Sequence, residues 1–126
     1  MGTTYSAPDH QGYVNITFAD GRQARALGIP DPSTNRLSVR LEYPNANGNG
    51  GTMTFDGRGT HLTTPNGVLP QTFARDMHEV LGADYFKNQY LSRSYPDNQG
   101  AIAAAADISR AQIMDNYLRP KKGLAP

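Results

Sequence analysis

Apolar residues alternate with polar ones through the first half of this chain and recur at helical spacing through the second. In YVNITF (13–18), Val14, Ile16 and Phe18 share one parity and Asn15 and Thr17 the other. That period of two is what a half-buried strand requires. Asp20-Gly21 follows, a hairpin signal because glycine accepts positive φ without a Cβ clash. RQARALGI (22–29) is then expected as the returning strand, and PDPSTN (30–35) as a turn by its prolines and short polar side chains. The cleanest alternation is RLSVRLEY (36–43). Leu37, Val39, Leu41 and Tyr43 fall on one face, Arg36, Ser38, Arg40 and Glu42 on the other, and Pro44 closes the run. TMTF (52–55) and THLT (60–63) predict a further hairpin around Asp56-Gly57-Arg58-Gly59.

The period changes after TTPNGVLP (63–70). Phe73, Met77, Val80 and Leu81 recur at i, i+4, i+7 and i+8, which predicts a helix with Pro70 in its first turn and Gly82 as the stop beyond its end. ADYFKNQYLSRSY (83–95) predicts a second helix, with Asp84 as its cap and Phe86 and Tyr90 one turn apart. From Asn98 to Leu118 a long helical segment is expected, with Ile102, Ala105, Ala106, Ile113 and Tyr117 on one stripe. Asp107 and Ser109 are candidate caps for a restart that would split it in two. The expected fold class is α+β: an N-terminal antiparallel meander of four or five strands with one solvated face, followed by two to four helices packed on the other. Residues 13–118 read as one domain, and 1–12 and 119–126 as extended arms.

Composition narrows the chemistry. With 126 residues the chain suits a single domain. It has no cysteine, which removes disulfides, thiolate nucleophiles and Cys-ligated zinc. Twelve basic residues stand against eleven acidic, for a net charge of +1, and the arginines are scattered rather than massed. No run approaches the ~20 apolar residues of a membrane span, and the N-terminus lacks the pattern of a signal peptide. The expected location is therefore the cytoplasm or an assembled virion. MGTTYS fits a myristoylation template at Gly2, and Asn15-Ile16-Thr17 fits a glycosylation sequon inside an expected strand.

The Gly/Asn run NANGNGG (45–51) carries no carboxylate for calcium and precedes a strand rather than a phosphate-binding helix. It reads as a connection whose Asn47 and Asn49 are available for contact. The three histidines show no metal-ligand spacing, so no metal or cofactor is expected. His61 or His78, with Asp56 or Asp20 as orienting carboxylate, would be the catalytic residues of a small hydrolase or nuclease of toxin type. Arg36 and Arg40 share the wet face of one strand, with Arg22 or Arg25 and Tyr13 nearby and Lys121 and Lys122 in the tail. That grouping allows a nucleic-acid-binding module, opposed by Glu42 on the same face and by the balanced charge. The seven tyrosines point elsewhere, since tyrosine suits surfaces that are wet in one state and buried in another. Tyr5, Tyr85 and Tyr95, with Asn47, Asn49, Lys121 and Lys122, are the expected interface residues. The expected function is a small structural or assembly protein, for instance a bacteriophage virion component. Its partners would be other protein subunits, as a homo-oligomer or a larger assembly.

Overall fold

Six strands arise where the alternation predicts them and at one further place. They are β1 (Thr4–Tyr5), β2 (Val14–Thr17), β3 (Gln23–Asp31), β4 (Arg36–Glu42), β5 (Gly50–Phe55) and β6 (Thr60–Thr63). The computed structural model describes residues 2–44, 50–93 and 96–119. Within them the strands form one sheet in the order β1-β2-β3-β4-β5-β6, and every neighbouring pair is antiparallel. The additional strand is β1, which draws the expected N-terminal arm onto the sheet edge by pairing Thr4 with Thr17 and Tyr5 with Ile16.

The inward face carries Val14, Ile16, Ala24, Ala26, Leu37, Val39, Leu41, Met53 and Phe55, all buried. On the inward side of β3, Gly28 is required for a steric reason. A Cβ added to Gly28 would clash with the Leu91 side chain, which packs directly over the strand. Strand β3 also runs through Pro30 to Asp31, two residues past its expected end. The hairpin between β2 and β3 has three loop residues. Phe18 N–H donates to Arg22 O, Gly21 N–H donates to Phe18 O, and Gly21 has φ +91°. This is a type I turn closed by a left-handed bulge residue, and beyond it Arg22 lies opposite Phe18 with the same inward parity as Ala24 and Ala26.

Helix α1 (Pro70–Gly82) buries Phe73, Met77, Val80 and Leu81, the predicted stripe, together with Ala74 and Asp76. Gly82 is its last helical residue rather than the stop; the chain leaves the helix at Ala83, which is extended. Residues 83–93 of the expected second helix contain one wide helical turn, Tyr85–Tyr90, instead of a regular helix. Leu91 N–H bonds Phe86 O, five residues back. Asp84 does not cap it; its carboxylate accepts from the Asn88 side chain. Helix α2 (Gln99–Ile113) runs straight into a second wide turn, Met114–Leu118. No restart occurs at Asp107, which is exposed and pairs with Lys87 at 3.0 Å, or at Ser109, which is buried in mid-helix.

The wide turns correct the predicted stripe. In a turn closed by i→i+5 bonds, residue i shares its face with i+5 rather than i+4. Phe86 and Leu91 are therefore both buried, and Leu118 rather than Tyr117 follows Ile113 onto the core. Tyr117 is 40% exposed. Both helices cover one face of the sheet and pack on each other. The fold is α+β, with an antiparallel meander followed by C-terminal helices.

Candidate functional site

The opposite sheet face has no helix over it among the described residues, and its side chains are set by the parity that buries the core. With Ala24 and Ala26 inward, Arg25, Leu27 and Ile29 point outward; with Leu37, Val39 and Leu41 inward, Ser38, Arg40 and Glu42 do the same. Register then sets Arg25 directly opposite Glu42 and Leu27 opposite Arg40.

Glu42 is the centre of this face. One carboxylate oxygen accepts from Arg25 Nε at 2.9 Å, the other from Arg40 Nε at 2.7 Å and from Tyr13 Oη at 2.9 Å. The Arg25 guanidinium lies over the Tyr13 ring, 4.2 Å from its centroid, which adds a cation–π contact to the ion pair. Partial burial pushes the Glu42 carboxyl up, but the hydrogen bonds from Arg40, Arg25 and Tyr13 outweigh it and bring it down to about 2. Tyr13 is correspondingly raised, first by its bond to Glu42. Two guanidiniums thus share one carboxylate, and the cluster carries roughly one positive charge, rigidly held. It borders a shallow depression of about 290 Å³ lined by Asn15, Arg25, Glu42, Tyr43 and Pro44. Further along β3, Ile29 is 59% exposed.

The candidate nucleic-acid residues do not form a dense basic surface. Arg36 and Arg40 do share the outer face, but Arg40 and Arg25 spend their charge on Glu42, and Arg36 stands opposite Asp31 in register. Arg22 is not on this face, because it shares the inward parity of Ala24 and Ala26. It reaches α1 on the helix-covered side and holds the buried Asp76 in a two-pronged pair at 2.7 and 2.8 Å, while Tyr43 Oη donates to the same carboxylate at 2.8 Å.

The candidate catalytic residues are not brought together. His61 is exposed on β6, whose neighbour across the ladder is the outward Thr54. His78 is half-buried on α1, beyond the other face of the sheet, in an open groove of about 430 Å³ with Asp107, Arg110 and Asp115. Burial and then the nearby Arg110 hold its imidazole below the usual range, which disfavours the charged form. Asp56 sits in the β5–β6 turn, where its carboxylate accepts the Arg58 N–H at 3.0 Å. Among the described residues no group of three or more His, Asp or Glu could hold a metal ion.

Of the expected interface residues, Tyr5 and Tyr85 pack against each other with ring centroids 6.5 Å apart, half-buried at the rim of the core. Burial, and then Glu79, push the Tyr5 hydroxyl up to about 12. Asn47, Asn49, Tyr95, Lys121 and Lys122 lie outside the described residues. Sequence reasoning passed over Ile29 and Leu27. The signal was there: ARALGI carries apolar residues at both parities, so one set had to face outward. No family model, curated protein or solved structure matches the chain.

Proposed function

We propose that this protein is a small structural subunit that works by association with further copies of itself, using the open sheet face as its contact surface. One observation carries the reading. A sheet with a complete core on one side presents, on the other, an ordered Tyr–Arg–Glu–Arg cluster beside Leu27 and a largely exposed Ile29. Tyrosine and arginine held in fixed geometry lose little entropy on contact and are enriched where binding energy concentrates. An apolar residue beside them gains by being covered. The net charge of +1 also means that copies repel one another weakly.

The test is light scattering across a concentration series. The expected result is a weight-average mass above the 13.7 kDa of one chain, falling toward it when Ile29→Asp places a charge in the contact. A constant mass of one chain at every concentration, or an assembly indifferent to Ile29→Asp, removes the reading.

A further inference from the structure

The two edges of the sheet are built differently. At one edge β1 is two residues long, and the chain turns back through Asp9–Tyr13 into β2; so short an edge strand is one way natural sheets avoid unwanted pairing. At the other, β6 runs Thr60-His61-Leu62-Thr63 with no charge, proline or bulge. The backbone groups that β6 turns away from β5 can be identified from the hairpin. Asp56 and Gly59 form the hydrogen-bonded pair that closes the turn, with Asp56 N–H donating to Gly59 O. Hydrogen-bonded and non-bonded pairs alternate along an antiparallel ladder. His61 and Thr63, opposite Thr54 and Thr52, therefore bond to β5, while the N–H and C=O of Thr60 and Leu62 point off the edge, and the same alternation carried one residue past the strand sets those of Thr64 there too.

Two side chains on this edge are also incomplete. Thr60 is 6% exposed, and its Oγ1 has no hydrogen-bond partner among the described residues. Leu62 packs on the core from a half-buried position. We infer that β6 pairs antiparallel with β6 of a second copy about a two-fold axis at Leu62, making one continuous sheet through both molecules.

The register follows from parity, because residues opposite each other must lie on the same face. With the axis at Leu62, Leu62 meets the partner's Leu62 and Thr60 meets the partner's Thr64. Every off-edge N–H and C=O of this stretch is then paired. Two leucines cover each other, and the Thr60 hydroxyl is set beside another threonine, a pairing that hydrogen-bonds across strands. An axis at His61 leaves Thr64 unpaired and sets two imidazoles face to face. A second copy suits this edge better than an unrelated strand because the same residues supply both halves of each match. This deepens the self-association reading above and rests on it, through an edge that excludes Ile29.

The chain has no cysteine, so one introduced thiol reports the pairing without background. Across the axis at Leu62 the two Cα atoms would stand about 5.5 Å apart, within the range a disulfide spans. The two His61 positions would be roughly 8 Å apart, beyond it. The expected result is that full-length Leu62→Cys converts to a covalent dimer under mild oxidation while His61→Cys stays monomeric. Thr64→Pro removes an off-edge N–H that β5 does not use, so it should keep the circular dichroism of the parent. It should weaken edge-mediated dimerisation at least about tenfold, measured in the Ile29→Asp background so that the open face does not contribute. Cross-linking of His61→Cys in place of Leu62→Cys, of neither, or an unweakened and folded Thr64→Pro dimer overturns the inference. If the wild type still associates in those cases, edge pairing fails and the open-face reading survives. If Leu62→Cys cross-links but Ile29→Asp changes nothing, the reverse holds.

Discussion

Tyr90 bridges a gap in the sheet with a single hydroxyl. Strand β2 stops opposite Ala26, so the next stretch of β3 has no strand beside it. Tyr90 Oη accepts from Gly28 N–H at 3.2 Å and donates to Gly12 O at 2.6 Å, while its ring stacks on Phe86 with centroids 4.9 Å apart. Tyr90→Phe keeps the stack and leaves both backbone groups unpaired. It should cost about 1–2 kcal/mol, read from urea unfolding with an unchanged slope. A loss below about 0.5 kcal/mol, the low end for a net hydrogen bond, would mean that water replaces the hydroxyl. Periodicity marked Tyr90 as one turn from Phe86. It could not show what the hydroxyl reaches, because Gly12 and Gly28 are brought there by the path of the chain.

The elements were legible where one period dominates. Helix α1 and strand β4 buried the predicted residues because their apolar stripes are complete within single elements. The stripe departs from the helical period at the wide turns, where one extra residue per turn moves the core-facing position from Tyr117 to the half-buried Leu118 without changing composition. Gly82 also departs from expectation, ending a helix without serving as its left-handed stop. The tie between the β2–β3 hairpin and α1 belongs to this scale too. Asp76 is 2% exposed and accepts three hydrogen bonds, two from Arg22 and one from Tyr43. Burial, and then the charge of Asp76, push the Tyr43 hydroxyl well above its ordinary range. Asp76→Ala strands the buried Tyr43 hydroxyl and half of the Arg22 guanidinium. Complete burial would put the loss at 3–5 kcal/mol. The solvent open to Arg22 reduces it to about 2–4 kcal/mol. Denaturant titration of Asp76→Ala beside Tyr43→Phe checks the origin: equal losses would show that the charge pair contributes nothing.

For the whole molecule, acid is the informative stress. The Glu42 carboxyl lies at about 2 in the fold against its ordinary 4.5. Its contribution is therefore complete above about pH 4.5 and disappears as pH falls toward 2, because the unfolded chain takes up the proton first. Asp20, Asp31 and Asp56 are lowered in the same sense by hydrogen bonds from Arg22, Ser33 and the Arg58 backbone, although solvent screens all three. The urea midpoint should fall across that window, and Glu42→Gln should flatten the fall while leaving the profile above pH 6 parallel to the parent. An unchanged slope would mean that Arg25 and Arg40 gain nothing from the carboxylate. Sequence by itself determined the parity of β2 and β4, the stripe of α1 and hence the α+β class, because burial of apolar side chains repeats with the local backbone period. The partners were settled only in three dimensions: Glu42 for Arg25, Asp76 for Arg22 and, among the described residues, a face and an edge of the sheet left open. Register and the chain's return path decide which distant groups meet, and no local period encodes them.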